Sequence, residues 1–185
     1  MNKSSRSVIV MVSLLVIVAA GGLFAQVQNN KLSGGLELSI PTGDFGDVAG
    51  TGFGVSGQYL YAFRKDITIT GSAGYLMWGG KDFGYYSYNY SDIPIKGGLR
   101  YYINPGFYVM GELGLHIYMF SFEYEDPITH IKVSDSDSDT EFGFAPGVGY
   151  EHRINEKMTF DLSIRYEIGD LDYLAIRGGL NFDMK

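Results

Sequence analysis

From residue 33 onward the chain alternates: apolar side chains fall at every second position of runs about ten residues long, with small or polar residues between them. Such a period of two predicts strands over 33–41, 52–64, 66–78, 92–103, 107–122, 141–151, 158–169 and 174–183. One face of these runs carries residues such as Leu36, Val55, Ile69, Ile95, Leu113, Val148, Leu162 and Ile176, and it holds no Lys, Arg, Asp, Glu or His. A lipid-facing surface is expected to be that clean, since a Lys or Arg at mid-bilayer costs about 2–4 kcal/mol on a membrane barrel.

An open sheet cannot cross a bilayer, because each unpaired backbone amide or carbonyl there costs several kcal/mol. The strands are therefore expected to close into an eight-stranded antiparallel up-and-down transmembrane β-barrel, all-β after a leader, with the last strand pairing with the first. Connections alternate in character. Long ones are predicted at 41–51, 79–91 and 123–140, tight ones at 64–66 and 104–106, and no helical period survives after the leader. Asn104-Pro105-Gly106 is good turn chemistry. Aromatics on the apolar face lie beside the short turns (Tyr61, Phe63, Tyr101, Phe107, Tyr150, Phe160, Phe182) and beside the long loops (Phe53, Tyr75, Phe142, Phe144, Tyr166), as two girdles would. Pro146 removes a ladder hydrogen bond and predicts a bulge in the sixth strand.

Residues 1–25 read as a secretory signal: Lys3 and Arg6 precede the apolar stretch Val8 to Ala20, which ends at Gly21-Gly22 and a small-residue exit at Ala25. The apolar run is shorter than the ~20 residues a helical anchor needs. Residues 26–185 then form one barrel domain. With no cysteine in the chain, closure of the sheet has to stabilise it in place of disulfides. The formal charge of −7 disfavours nucleic acid as a partner.

The opposite face of the strands is mostly small, with Ser39, Gly54, Ser72, Gly98, Gly114, Gly147 and Gly179. An eight-stranded barrel has an interior just wide enough for side chains to fill. Among the small residues stand Lys96, Arg100, Arg165 and Arg177, and against them Glu37, Glu112, Glu151 and Glu167. Charges in so narrow a space must be paired. These eight residues are the candidate lumenal ion-pair network, with Arg177 within reach of Glu37 or Glu167 across neighbouring strands. His116 points inward as a packed, hydrogen-bonded side chain, and no Ser-Asp partnership for it is identifiable.

Two long loops carry candidate contact chemistry. Tyr85, Tyr86, Tyr88 and Tyr90 supply amphipathic, low-entropy contact area of the kind paratopes use. Asp135, Asp137 and Asp139 alternate ahead of Glu141, but the calcium-loop pattern fails: counting from Asp135, Thr140 and Pro146 stand where Gly and Glu are required. A solvated acidic loop is expected there, with loose bridging of a divalent cation to lipopolysaccharide as the other reading. No cofactor is expected.

Pro41-Thr42-Gly43-Asp44-Phe45-Gly46-Asp47, leading into Gly52-Phe53-Gly54-Val55-Ser56-Gly57, and the closing Arg177-Gly178-Gly179-Leu180-Asn181-Phe182 resemble the small outer-membrane β-barrel family that includes OmpX and the barrel domain of OmpA. The resemblance implies a Gram-negative outer membrane, insertion by the barrel assembly machinery, contact with outer-membrane lipid and lipopolysaccharide, and roles in envelope integrity, adhesion or contact with an extracellular protein or surface ligand. Members usually end on an aromatic, whereas Asp183-Met184-Lys185 follow Phe182 here.

The expected function is a non-enzymatic, monomeric barrel with a plugged lumen and exposed loops. Its rivals are a narrow ion or small-solute channel, discriminated by single-channel conductance, and a lipid A-modifying enzyme, which would want a lipid-facing Ser and His. A soluble lipocalin-like barrel would leave the glycine-rich face outside, poor in the dispersed charge that keeps soluble surfaces apart.

Overall fold

Alternation over eight runs leaves each strand one apolar and one polar face, and rolling the sheet shut is what gives the two faces separate environments. The structure is a computed structural model and describes residues 30–80, 86–125 and 132–184, so the expected leader lies outside the described residues. Its elements are β1 (Lys31–Pro41), α1 (Gly43–Val48), β2 (Ala49–Ala62), β3 (Ile67–Gly80), β4 (Tyr86–Asn104), β5 (Phe107–Glu125), β6 (Lys132–Arg153), β7 (Met158–Glu167) and β8 (Tyr173–Asp183). All neighbours are antiparallel, and β1 pairs with β8 from Lys31↔Asp183 to Pro41↔Tyr173, which closes the barrel. Among the described residues no helix is long and apolar enough to cross a membrane.

The faces fall as the alternation predicts. Leu36 is 71% and Phe53 64% exposed on the outside, while Arg100 and Arg177 are fully buried within. So broad an exposed apolar band needs lipid to cover it.

The short turns lie at the rim where β1 begins and β8 ends. Gly106 adopts φ +96°, the positive φ that a turn with Pro105 before it requires. Arg64 closes the β2–β3 turn through paired backbone bonds with Ile67.

Three expectations are corrected. The first concerns the 41–51 connection, which contains the six-residue helix α1, entered through Gly43 at φ +56°. A six-residue helix is too short to register as a period of 3.6, and of its two apolar side chains, Phe45 and Val48, only Phe45 is buried.

The second concerns the long loops at 79–91 and 123–140, which are largely strand. β4 begins at Tyr86, β5 runs to Glu125 and β6 starts at Lys132. The β5–β6 register is unbroken from Phe107↔Tyr150 to Glu125↔Lys132 and β4 follows β5 out to Tyr86↔Tyr124, so β4, β5 and β6 rise past the other strands. The outer half of β6 alternates Ser with Asp, a polar period of two that a hydrophobic pattern does not reveal.

The third concerns Pro146, which produces no bulge. β6 and β7 hold the same register from Arg153↔Thr159 through Gly147↔Arg165 to the bridge Phe144↔Ile168, with the ladder only interrupted at the proline. Pro94 in β4 does the same to the β3–β4 ladder between Ala73↔Ile95 and Leu76↔Asp92. A lost bond on one side of a strand is tolerable where the other ladder stays whole, and Pro146 still pairs with Gly111 and Pro94 with His116.

Candidate functional site

Polar side chains pointing into a bore this narrow are brought within reach of one another, and they meet in tiers. At the short-turn rim Glu151 accepts from Lys31 Nζ at 2.7 Å, Tyr102 Oη at 2.8 Å, Asn181 Nδ2 at 3.1 Å and Arg100 Nη1 at 3.2 Å. Next, Arg100 donates to Asp161 at 2.8 Å and to Gln58 at 2.6 Å, and lies 4.5 Å over the Tyr108 ring, whose hydroxyl also donates to Asp161 at 2.6 Å. Arg177 donates to Ser33 at 2.8 Å and to Ser56 at 2.9 Å. Its guanidinium occupies the space that a Cβ on Gly35 or Gly179 would fill, at 2.7 and 2.6 Å.

At mid-barrel Arg165 donates to Glu37 and, through Nε, to Glu167 at 2.9 Å, and Lys96 donates to Glu167. Glu112 stands 3.4 Å from Lys96 Nζ and 3.7 Å from Arg165 Nε, held by charge. Above it, His116 Nδ1 donates to Asp92 at 2.6 Å while Nε2 lies 3.6 Å from Glu167. Short charge-assisted contacts of this kind are the strong class of hydrogen bond.

An aromatic tier covers the stack at the long-loop mouth. Trp78 donates from Nε1 to Ser39 at 2.9 Å, and Phe45 from α1 meets Trp78 edge-on at 5.4 Å between ring centroids and Tyr90 at 5.7 Å. Tyr173 also meets Trp78, at 5.3 Å between ring centroids. The helix that breaks the first long loop is thus the lid of the bore.

Seven of the eight network candidates, Glu37, Lys96, Arg100, Glu112, Arg165, Glu167 and Arg177, are buried in this bore, and Glu151 stands half-buried at its short-turn rim. Arg177 does not meet Glu167; it reaches Glu37 only at 4.0 Å and Asp161 at 3.5 Å, its hydrogen bonds to serines being shorter. The interior is also less uniformly small than expected: Trp78, Tyr108, Tyr118 and Tyr173 are buried in it. Sequence reasoning missed Asp92, whose signal was its parity with Lys96 across Pro94, and left Asp161 out of the charge network although its inward parity was legible.

Of the loop candidates, Tyr85 lies outside the described residues, and Tyr86 and Tyr88 are strand residues of β4 whose side chains are not described. Tyr90 packs on Phe45 and, at 5.4 Å, on Phe120. Asp135 is a strand residue of β6 whose side chain is likewise not described, whereas Asp137 and Asp139 are exposed and each accepts from the next backbone amide, Ser138 at 2.8 Å and Thr140 at 2.7 Å. Among the described residues, no three His, Cys, Asp or Glu side chains are grouped to hold a metal ion.

A closed eight-stranded barrel with an apolar belt, a charged and filled bore and hairpins rising past one rim defines a small outer-membrane β-barrel protein. The chain belongs to the outer membrane protein beta-barrel domain family, matching it over residues 11–184, and its place is the Gram-negative outer membrane. No curated protein matches it in sequence.

Among solved structures it is similar to Ail, the attachment invasion locus protein of Yersinia pestis, at 18% identity and TM-score 0.65, over 85% of this chain and 100% of that one. It is similar too to OprG of Pseudomonas aeruginosa, at 14% identity and TM-score 0.60, over 86% and 98%. Neisserial surface protein A shares the fold at 10% identity and TM-score 0.54, over 86% and 100%. Ail has also been solved in complex with the heparin analogue sucrose octasulfate.

Proposed function

We propose that this protein is a non-enzymatic outer-membrane barrel with a plugged lumen, whose raised β4–β5–β6 hairpins serve contact with an extracellular surface or the integrity of the envelope. The observation that carries the reading is the tiered bore, in which charged side chains from opposite walls bond to one another beneath the Phe45–Trp78 lid. A solute would have to break several buried ion pairs to pass, and removing one partner of such a pair costs about 3–5 kcal/mol. His116 has a carboxylate at each ring nitrogen and is buried away from lipid, which suits packing better than hydrolysis of an acyl chain.

In this reading residues 1–25 direct export and are removed, the barrel assembly machinery inserts the remainder as a monomer, and the outer leaflet's lipopolysaccharide surrounds it. Ail's complex with a sulfated polyanion does not transfer readily, because this chain presents carboxylates on the raised hairpin and carries a net charge of −7.

Two measurements test the proposal. Purified protein in a planar bilayer is expected to give no stepwise current, and regular steps would return the channel reading. Cells expressing a form trimmed at paired positions, with 79–89 and 121–136 replaced by short turns that join Trp78 to Tyr90 and Phe120 to Asp137, are expected to lose adhesion or envelope resistance relative to cells with the full protein. Unchanged behaviour in both assays would reject the role for the hairpins.

A further inference from the structure

The raised part of the sheet reverses the polarity of the part below it. In the belt the outer face of β4, β5 and β6 carries Ile95, Leu115 and Phe142, all exposed for lipid to cover. Past the row of Ile93, Ile117 and Thr140 the same face turns polar, with Ser91, Met119 and Ser138 in one row and Asn89, Ser121 and Ser136 in the next. Directly opposite residues share a face, so the aromatics of this region fall on the other one. Trp78, Tyr90, Phe120 and Asp137 form one row there, and Tyr88, Phe122 and Asp135 the next by backbone register. Trp78 is buried over the bore, which identifies this as the face that looks across the mouth. Tyr90 and Phe120 are half-buried and meet edge-on at 5.4 Å, with Phe45 of the lid at the foot of the wall against Tyr90.

Aromatic residues raised above the bilayer on a face that lipid does not reach mark a binding surface. Each row runs from aromatic residues to a carboxylate, and neither row holds a Lys or Arg. Asp139, opposite Tyr118 in the row below, continues the column, so carboxylates recur at every second residue of β6, about 7 Å apart. Asp137 and Asp139 are exposed, and each accepts from the next backbone amide through Oδ1, which leaves Oδ2 for a cation.

We propose that this face binds a linear aliphatic polyamine, its ammonium groups at Asp135, Asp137 and Asp139 and its methylenes along the neighbouring aromatic column of β5. Methylene stems lie on apolar surface while their charged heads stay at polar groups, and aromatic rings attract the ammonium groups as well. Four-carbon spacers set successive ammonium groups at roughly the spacing of the rows. A neutral ligand would take water from the carboxylates without offsetting their charge. This deepens the surface-contact reading and rests on it for its setting.

The test uses the full protein in phosphatidylcholine nanodiscs, with affinity read by titration calorimetry. Homospermidine, three amines joined by two four-carbon spacers, is expected to bind about tenfold or more tighter than hexaamminecobalt(III), a compact ion of the same charge. Asp137→Asn with Asp139→Asn is expected to weaken homospermidine about tenfold or more, whereas Asp44→Asn with Asp47→Asn, the same charge change at exposed positions of α1, shifts it by no more than about twofold. Phe122→Ser is expected to weaken homospermidine about tenfold and to leave hexaamminecobalt(III) unchanged, while every variant keeps its heat-dependent shift on gels.

Equal affinity for the two cations, or equal loss in the two pairs of Asn variants, would overturn the inference as general attraction of cations to an acidic mouth. If homospermidine does not bind while the loop-shortened cells still lose adhesion, this inference falls alone. If it binds as described while those cells keep adhesion and envelope resistance, the site stands and the wider surface role falls.

Discussion

Arg100 on β4 and Asp161 on β7 meet across the bore at 2.8 Å, both fully buried, from strands that are not neighbours in the sheet. Such a contact ties opposite walls of the barrel together, and neither charge has water to fall back on. Arg100→Met leaves Asp161 with Tyr108 and a more distant Arg177 as partners. Stripping one partner from a buried pair is expected to cost about 3–5 kcal/mol, and replacing both, Arg100→Met with Asp161→Leu, to recover part of that loss. Urea unfolding in detergent or lipid checks it; equal losses in the single and double variants would mean the two charges act independently.

Glycines in the strands divide by what lies over them. A Cβ on Gly114 would stand 2.1 Å from the Ile95 carbonyl oxygen, a backbone atom that cannot swing aside, whereas one on Gly178 would meet nothing within 4 Å. Gly114→Ala is therefore expected to destabilise by about 1–3 kcal/mol. Gly178→Ala is expected to be neutral or to stabilise by about 0.4–1 kcal/mol through the unfolded chain. The same unfolding assay separates them.

The belt makes a depth-dependent prediction. Leu113 stands at mid-strand opposite Gly97 and Phe144, while Phe182 lies at the short-turn rim opposite Leu32 and Met158. Leu113→Arg is expected to cost about 2–4 kcal/mol and Phe182→Arg about 0–1 kcal/mol from the charge alone. A nitroxide at residue 113 is expected to be relaxed by oxygen and one at residue 137 by an aqueous nickel chelate. The reverse accessibility would place the bilayer elsewhere.

Strand identity and facing were legible because a period of two is written into side-chain polarity and needs no distant information. Partner choice in the bore was not. Glu37 sits directly beside Arg177 in the β1–β8 register, yet its close partner is Arg165, 128 residues away in sequence. Strands in a barrel tilt, so the side chains that meet over the axis come from different register positions, and that offset depends on closure geometry that no local pattern carries. Asp92 was hidden for a simpler reason: it lies at the edge of the apolar run that begins with Ile93, where the pattern suggested the strand had begun. The extension of β4 and β6 beyond the rim escaped because its alternation is of Ser with Tyr or Asp, both sides polar enough to read as loop.

Trp78 is the single tryptophan of the chain, so its fluorescence reports the lid without added probes. It is buried, bonded to Ser39 and flanked by Phe45 and Tyr173. Phe45 is the side chain that α1 contributes to this cluster, and removing a buried Phe ring forfeits about 3–5 kcal/mol where the surroundings do not collapse. Phe45→Ala is therefore expected to release the helix from the mouth, shift Trp78 emission to the red and raise its quenching by acrylamide. The ion-paired tiers below do not involve Phe45, so the variant is expected to remain folded and still to pass no stepwise current. Emission and quenching unchanged by Phe45→Ala would mean that Trp78 is shielded by Tyr173 and the strand walls alone, and that the helix lies on the mouth without sealing it.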